Sequence, residues 1–413
     1  MAGMTGRAWI IGMALAALGG QAQEWTRFRG PNGSGVGQAA GLPAQWSRDA
    51  AVWEVRLPGP GHSSPVLWGP RVFINCATDS GQRLAVVALD ATDGRTVWTR
   101  DFSAGGFTLH RNNTFASSTP AVDEHRLYVA WQHDGAITLT ALTHGGEPVW
   151  DFAVGACEFQ HGMGHSPVVH AGLVIFSNDQ IGPGRIVALD AATGALRWEA
   201  PRKPGRGDYS TPCVVTSDGR DRLVFNTCED RIAALDAGSG RIVWQSGAVL
   251  DKRSVSSPVV ADGLLISSCG SGGGGNYVVA LEAPSEPGGR PTEVWRIRQS
   301  APYVPTSLAR DDLLFLWADV GVVSCVETRS GTVLWRQRVG GNYFSSPVFA
   351  DGKLYGVSTE GEIVALAAGR DFALLGRTAL EENCHATPAV ANGRLYVRTL
   401  TRLFCFGATP RGE

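Results

Sequence analysis

Four of the nine histidines, His62, His161, His165 and His385, are the candidates here to ligate a transition metal or move a proton near neutral pH. Metal binding needs converging donors, and none of the four belongs to an HxH or HExxH pair. His161 and His165 lie four residues apart, but on a loop rather than a helix, so the spacing does not bring them onto one face. No metal site is assigned. Serine chemistry fares no better, because Ser/Thr-Pro pairs recur along the chain and repeated copies of a nucleophile would have no purpose. Gly272–Gly275 lacks the following Lys-Ser/Thr and the helix that a phosphate cradle requires, and reads as a loop between strands. The eight cysteines include no adjacent pair and no CxxCH haem site.

The elements that must position these residues follow from an internal repeat. Ser/Thr-Pro pairs stand at Ser64-Pro65, Thr119-Pro120, Ser166-Pro167, Thr211-Pro212, Ser257-Pro258, Ser346-Pro347 and Thr387-Pro388, with Val304-Pro305 as a weaker copy. The intervals between the prolines are 55, 47, 45, 46, 47, 42 and 41, a period of about 46. Each copy continues through a turn, an apolar strand, a strand carrying the phrase Ala-Leu-Asp, a Gly turn and a Trp. Four short strands per period describe one antiparallel blade. The last copy stops before its Trp, and the missing strand stands at the other end of the chain, as Val52-Trp53-Glu54-Val55. The expected fold is therefore an all-β, eight-bladed propeller over 46–407, closed by its own N-terminal strand. Closure removes the free sheet edges that invite aggregation. The docking tryptophans are Trp53, Trp98, Trp150, Trp198, Trp244, Trp295 and Trp335. The seventh copy carries Leu374-Leu375 in place of Trp, which predicts a looser junction there.

Composition fits this reading. Glycine is abundant (53 of 413), charged residues make up 18%, and the formal net charge is −2, so no basic stripe points to nucleic acid. Residues 1–22 read as an export signal: Arg7, an apolar run from Ala8 to Leu18, and small residues before the cut. That run is too short for an ordinary transmembrane helix, and no later segment could span a bilayer. No Cys lies near the cut to carry a lipid. The mature chain, with an extension over 23–45 and a tail over 408–413, is expected to be a monomer in the periplasm or outside the cell. Cys325 and Cys405 stand at the Ala position of their copies and read as packing residues. Export permits disulfides, and Cys76 with Cys384, on neighbouring blades, is the pairing expected.

The residues before each proline should crowd one rim of the channel. They include His62, Phe115, His161, His165, Tyr209 and Arg253 from the first half. The second half supplies Tyr303, Asn342, Tyr343, Phe344, Asn383 and His385. The ends of the second strands should bring Cys76, Asn178, Cys228, Glu229, Cys269 and Asp319 to the same face. A concave rim of polar and aromatic groups is the default site for a ligand or partner, with a merely hydrated channel mouth as the alternative.

The Ala-x-Asp-x-x-Thr-Gly-x-x-x-Trp phrase, clearest from Ala188 to Trp198, resembles the tryptophan-docking repeat of pyrroloquinoline-quinone (PQQ) propellers. The stretch Trp25-Thr26-Arg27-Phe28-Arg29-Gly30-Pro31-Asn32-Gly33 is similar to the start of many secreted PQQ-like repeat proteins. Two subgroups share the phrase: quinoprotein dehydrogenases that oxidise alcohols or sugars, and non-catalytic scaffold propellers of the outer-membrane assembly factor BamB type. The first implies PQQ, calcium held by a Glu, an Asn and a catalytic Asp, and adjacent cysteines. Glu229, Asn178 and Asp319 are the residues of suitable type, but no motif places them and the cysteine pair is missing. The resemblance therefore favours the scaffold subgroup, with no catalytic residue, no cofactor and a protein or small ligand bound on the rim; the alternative is a PQQ-dependent quinoprotein dehydrogenase holding PQQ with calcium.

Overall fold

The computed structural model of this protein describes residues 24–105, 109–227 and 231–407. The export segment, Gln23, the tail over 408–413, Cys228 and Glu229 lie outside them. Eight four-stranded antiparallel sheets form the propeller. The first blade comprises Val66–Trp68, Arg71–Thr78, Arg83–Asp90 and Thr96–Ser103. The eighth combines Ala389–Ala391, Arg394–Arg398 and Arg402–Phe406 with the N-terminal strand Trp53–Arg56, Trp53 lying opposite Cys405 and Arg56 opposite Arg402.

The repeated phrase has a local physical cause. Blades 1 to 7 each bear a bulge just after the small residue that faces the outer strand, as at Ala88/Leu89 with Ala88 opposite Trp98. The bulge increases local twist and re-aims the tryptophan. Asp90 then closes the turn, its carboxylate accepting the Thr92 N–H at 2.9 Å and its carbonyl the Gly94 N–H at 2.9 Å. Gly94 sits at φ +76°, and a Cβ there would fall 2.7 Å from the Trp53 ring. The glycine thus makes the turn and admits the previous blade's tryptophan. Trp53, Trp98, Trp150, Trp198, Trp295 and Trp335 donate Nε1–H to carbonyls of the following blade at 2.8 to 3.1 Å. Trp244 instead lies under the long turn of blade 5, where the Gly288 N–H donates to Val243 O at 2.7 Å.

A second ring runs around the throat of the channel. Backbone N–H groups of Ser64, Thr119, Thr211, Ser257, Thr306, Ser346 and Thr387 each donate to the hydroxyl of the corresponding Ser or Thr in the next blade, at 2.9 to 3.2 Å. Thr387 to Ser64 links the last blade to the first, and among the described residues only the junction between blades 3 and 4 lacks such a bond. This ring corrects the weak sixth copy. Its register partner is Thr306-Ser307, with the strand starting at Leu308, and Val304-Pro305 lies two residues upstream.

The junction after blade 7 is also corrected. Gly376, not Leu374 or Leu375, faces Ala365 at the tryptophan position, and a Cβ there would meet Ala44 O at 2.5 Å. Trp46 supplies the missing ring from the N-terminal segment. It packs on Tyr355 at 5.7 Å and Phe406 at 4.9 Å, and donates Nε1–H toward Gly407 O at 3.4 Å. Its backbone is fixed to the Thr378 hydroxyl at 3.0 and 3.2 Å. The junction is filled, not loose.

Residues 24–46 form a strap beneath the ring. Trp25 pairs with Leu67 of blade 1, and Thr26 O accepts the Val122 N–H of blade 2. Arg27 donates to Pro212 O of blade 4 at 2.5 Å. Arg29, fully buried, donates to Ser307 O and Pro347 O of blades 6 and 7 at 3.0 Å each. Two desolvated guanidiniums thus tie opposite sides of the ring through carbonyls alone.

The expected Cys76–Cys384 disulfide is absent; both are free thiols. Cys76 Sγ lies 3.8 Å from the buried Arg398 guanidinium, and Cys384 donates to the Arg398 carbonyl at 3.0 Å. Arg398 also donates to Ser63 O and Asn75 O, so this side chain, not a covalent bond, joins blades 8 and 1.

Candidate functional site

The channel widens from the hydroxyl ring into a funnel of about 860 Å³, with Phe28 of the strap reaching its lower end. Of the rim residues expected from sequence, His62, His161, Tyr209, Arg253, Tyr303, Asn342 and His385 line it. Four do not. His165 is buried among Phe159, Phe176 and Tyr209. Phe115 packs over Gly81, and Tyr343 is wholly buried with its ring 5.2 Å from Trp317. Asn383 is exposed outside the funnel, its carbonyl accepting the Leu400 N–H.

Sequence reasoning missed His110, Asn112, Asn113, Gln160 and Arg206. The signal was available in the first proline interval, 55 residues against about 46 elsewhere. The additional residues build a loop across the rim. Within it the Asn113 side chain donates to His161 O at 2.6 Å, and Asn112 O lies 3.3 Å from His385 Nδ1.

The funnel wall is divided chemically. On blades 7, 8 and 1, His385 packs edge-to-face with Phe344 at 4.9 Å and lies 4.3 Å from the His62 ring. Burial, with His385 and Arg398 nearby, pushes His62 down to about 3. Burial also lowers His161, His165 and His385, so these imidazoles are neutral at pH 7. On blades 3 to 5, Arg253 Nη1 donates to His161 Nε2 at 2.6 Å, which leaves the imidazole proton on Nδ1. Arg253 Nη2 donates to Gln160 Oε1 at 2.7 Å and to Arg206 O at 2.6 Å. Among the described residues, neither Arg253 nor Arg206 pairs with a carboxylate. Asp319 is the lining carboxylate; it accepts the Tyr303 and Val304 N–H groups at 2.7 and 3.0 Å, and burial raises its pKa. Arranged this way, the side chains can hold a ligand, and no nucleophile in the funnel hydrogen-bonds a histidine among the described residues.

The family described as "Outer membrane protein assembly factor BamB" matches residues 44–145, 182–284, 274–371 and 319–406. The chain is 26% identical over 349 residues to the outer membrane protein assembly factor BamB of Yersinia pestis, covering 81% of this chain and 71% of that protein. BamB from Moraxella catarrhalis has a similar structure, with a TM-score of 0.61 at 16% identity over 87% of this chain and 97% of that one. Quinohemoprotein alcohol dehydrogenase from Comamonas testosteroni gives 0.68 at 14% identity, over 95% and 82%. At such identities these two structures share only the fold with this chain.

The quinoprotein likeness raises PQQ and calcium, which the described residues do not fit. Each Asp319 oxygen accepts one backbone N–H, which fixes the carboxylate against its own loop. Asn178 is buried, its amide directed at Ala156 O at 3.4 Å. No three His, Cys, Asp or Glu side chains cluster as a metal site among the described residues.

Proposed function

Because this chain belongs to the family described as outer membrane protein assembly factor BamB, we propose that it is an exported, non-catalytic propeller that holds a protein or ligand partner at its funnel. The observation that carries this reading is the funnel mouth itself. Two guanidiniums without carboxylate partners, an aromatic wall and an overhanging loop converge there on a rigid ring. Export is supported by the leader-like residues 1–22, and no helix among the described residues is long and apolar enough to cross a membrane. The relatives' name offers a partner class, the proteins that assemble the outer membrane.

The experiment places a photo-crosslinking residue at Asn342 on the rim, or at Asp218 on the turn at the opposite end of blade 4. A defined exported protein captured from Asn342 and not from Asp218 supports the reading; equal capture at both sites sinks it. Titration with PQQ and calcium, coupled to dye reduction by alcohols or sugars, is expected to show no turnover. Stoichiometric PQQ binding with turnover would replace the scaffold by a quinoprotein dehydrogenase.

A further inference from the structure

We infer that the funnel binds an anionic oligosaccharide, with Arg206 and Arg253 holding its carboxylate or sulfate and the Phe344–His385 wall packing against a sugar ring. The inference deepens the reading of the funnel as a binding site and rests on it. Charge is the first ground. Arg206 is exposed on the funnel wall, and among the described residues it has no ion pair. Arg253 is held in place by three neutral acceptors. A planar guanidinium recognises carboxylate and sulfate through paired N–H donors. The surrounding histidines are neutral and Asp319 already accepts two backbone N–H groups, so the positive charge comes from the arginines.

The uncharged surface fits a sugar better than a simple ion. Aromatic faces and edges pack on the C–H faces of pyranose rings, and the Phe344–His385–His62 array offers such a wall. Side-chain amides of Asn112, Gln160 and Asn342 are exposed around the mouth, with N–H groups that no described residue accepts. Amides of this kind can donate to hydroxyl oxygens. Below them, seven of the eight throat Ser or Thr oxygens, all but Thr211, accept a neighbour's backbone N–H, which leaves their own O–H available as a donor. The funnel, about 860 Å³, is of the size that small-ligand sites occupy, roughly 300–1,000 Å³.

Calorimetric titration of the full exported chain tests this with four probes: tetragalacturonate, a heparin-derived tetrasaccharide, neutral maltotetraose and inorganic sulfate. One or both charged sugars should bind, and which one does identifies the anion. Maltotetraose and sulfate should each bind at least about tenfold more weakly, the scale of one lost charged contact. Arg206→Gln and Phe344→Ala should each weaken the charged sugar about tenfold or more, while Arg220→Gln, an exposed arginine on the turn at the opposite end of blade 4, should not. Circular dichroism checks that the variants fold. No binding of either charged sugar, equal binding of maltotetraose or sulfate, or unchanged affinity in Arg206→Gln overturns the inference. A protein that ignores every probe yet still captures a partner only from Asn342 loses the sugar and keeps the scaffold.

Discussion

At the scale of single residues, the buried imidazoles make a sharp statement about pH. His62 binds a proton at about 6.5 when unfolded but only near 3 in the ring, where burial, His385 and Arg398 all oppose the charge. The unfolded chain therefore takes up more protons between these values. Stability from His62 is complete above about 6.5 and falls as pH drops toward 3, by about 1.4 kcal/mol per pH unit at this one site. His161, His165 and His385 shift in the same direction. Carboxylates such as Asp190, lowered by the Arg197 guanidinium and then by turn hydrogen bonds from Thr193, lose their contribution only at lower pH. Asp319, raised by burial, works the other way and gains stability on acidification. Urea midpoints measured from pH 7.5 to 5 should thus fall before the lowered carboxylates begin to lose their contribution, and His62→Asn should flatten that fall. A midpoint independent of pH across this window in the wild type would show that these imidazoles are not buried neutral.

At the scale of elements, the seven repeat tryptophans were legible because spacing alone exposes them, and the turn glycines, as at Gly94 against Trp53, read as part of one docking device. What the repeat could not show is a residue that fills a repeat position from elsewhere in the chain. Trp46 docks beside Gly376 across more than three hundred residues, and its only sequence trace is a missing Trp in one copy and a surplus Trp in the extension. Thr306-Ser307 was hidden for a related reason: Pro305 imitated the motif, while the hydroxyl that makes the inter-blade bond stood one place later. The rim was half legible. Proximity to the prolines found Arg253 and His385, but in-versus-out choices within a loop depend on packing, which buried His165 and Tyr343. The element-scale prediction separates the two possible fillers of the seventh junction. Trp46→Ala removes a buried ring and should lower stability by about 3–5 kcal/mol. Leu374→Ala, at an exposed position, should change it by no more than about 0.5 kcal/mol. Similar losses in both, measured by chemical unfolding, would return the junction to the leucines.

At the scale of the whole molecule, three independent ties hold the ring shut. The outer strand Trp53–Arg56 completes blade 8, the Thr387-to-Ser64 bond links blades 8 and 1 at the throat, and the strap crosses beneath with Arg27 and Arg29. An open repeat array unfolds as loosely coupled neighbours, whereas a closed ring has no terminal repeat from which unfolding can start. Trp53 belongs to the closing strand, packs on Tyr396 at 5.9 Å and donates to Ala91 O in blade 1, so it joins the first and last blades directly. Trp53→Ala should therefore remove about 3–5 kcal/mol through the cavity and the lost contact. Closure also dictates the form of the loss. With the strap and the throat bond intact, fluorescence and circular dichroism should still report one coincident transition at a lower denaturant midpoint. Deleting residues 24–37 from Trp53→Ala removes the Arg27 and Arg29 ties while keeping Trp46 in its junction, and the two probes should then separate as blades 8 and 1 part before the rest. Coincident transitions in that combined variant would mean that the throat bond and the remaining blade contacts suffice for closure. An unchanged midpoint in Trp53→Ala would show that the N-terminal strand is an ornament on a ring closed by other means.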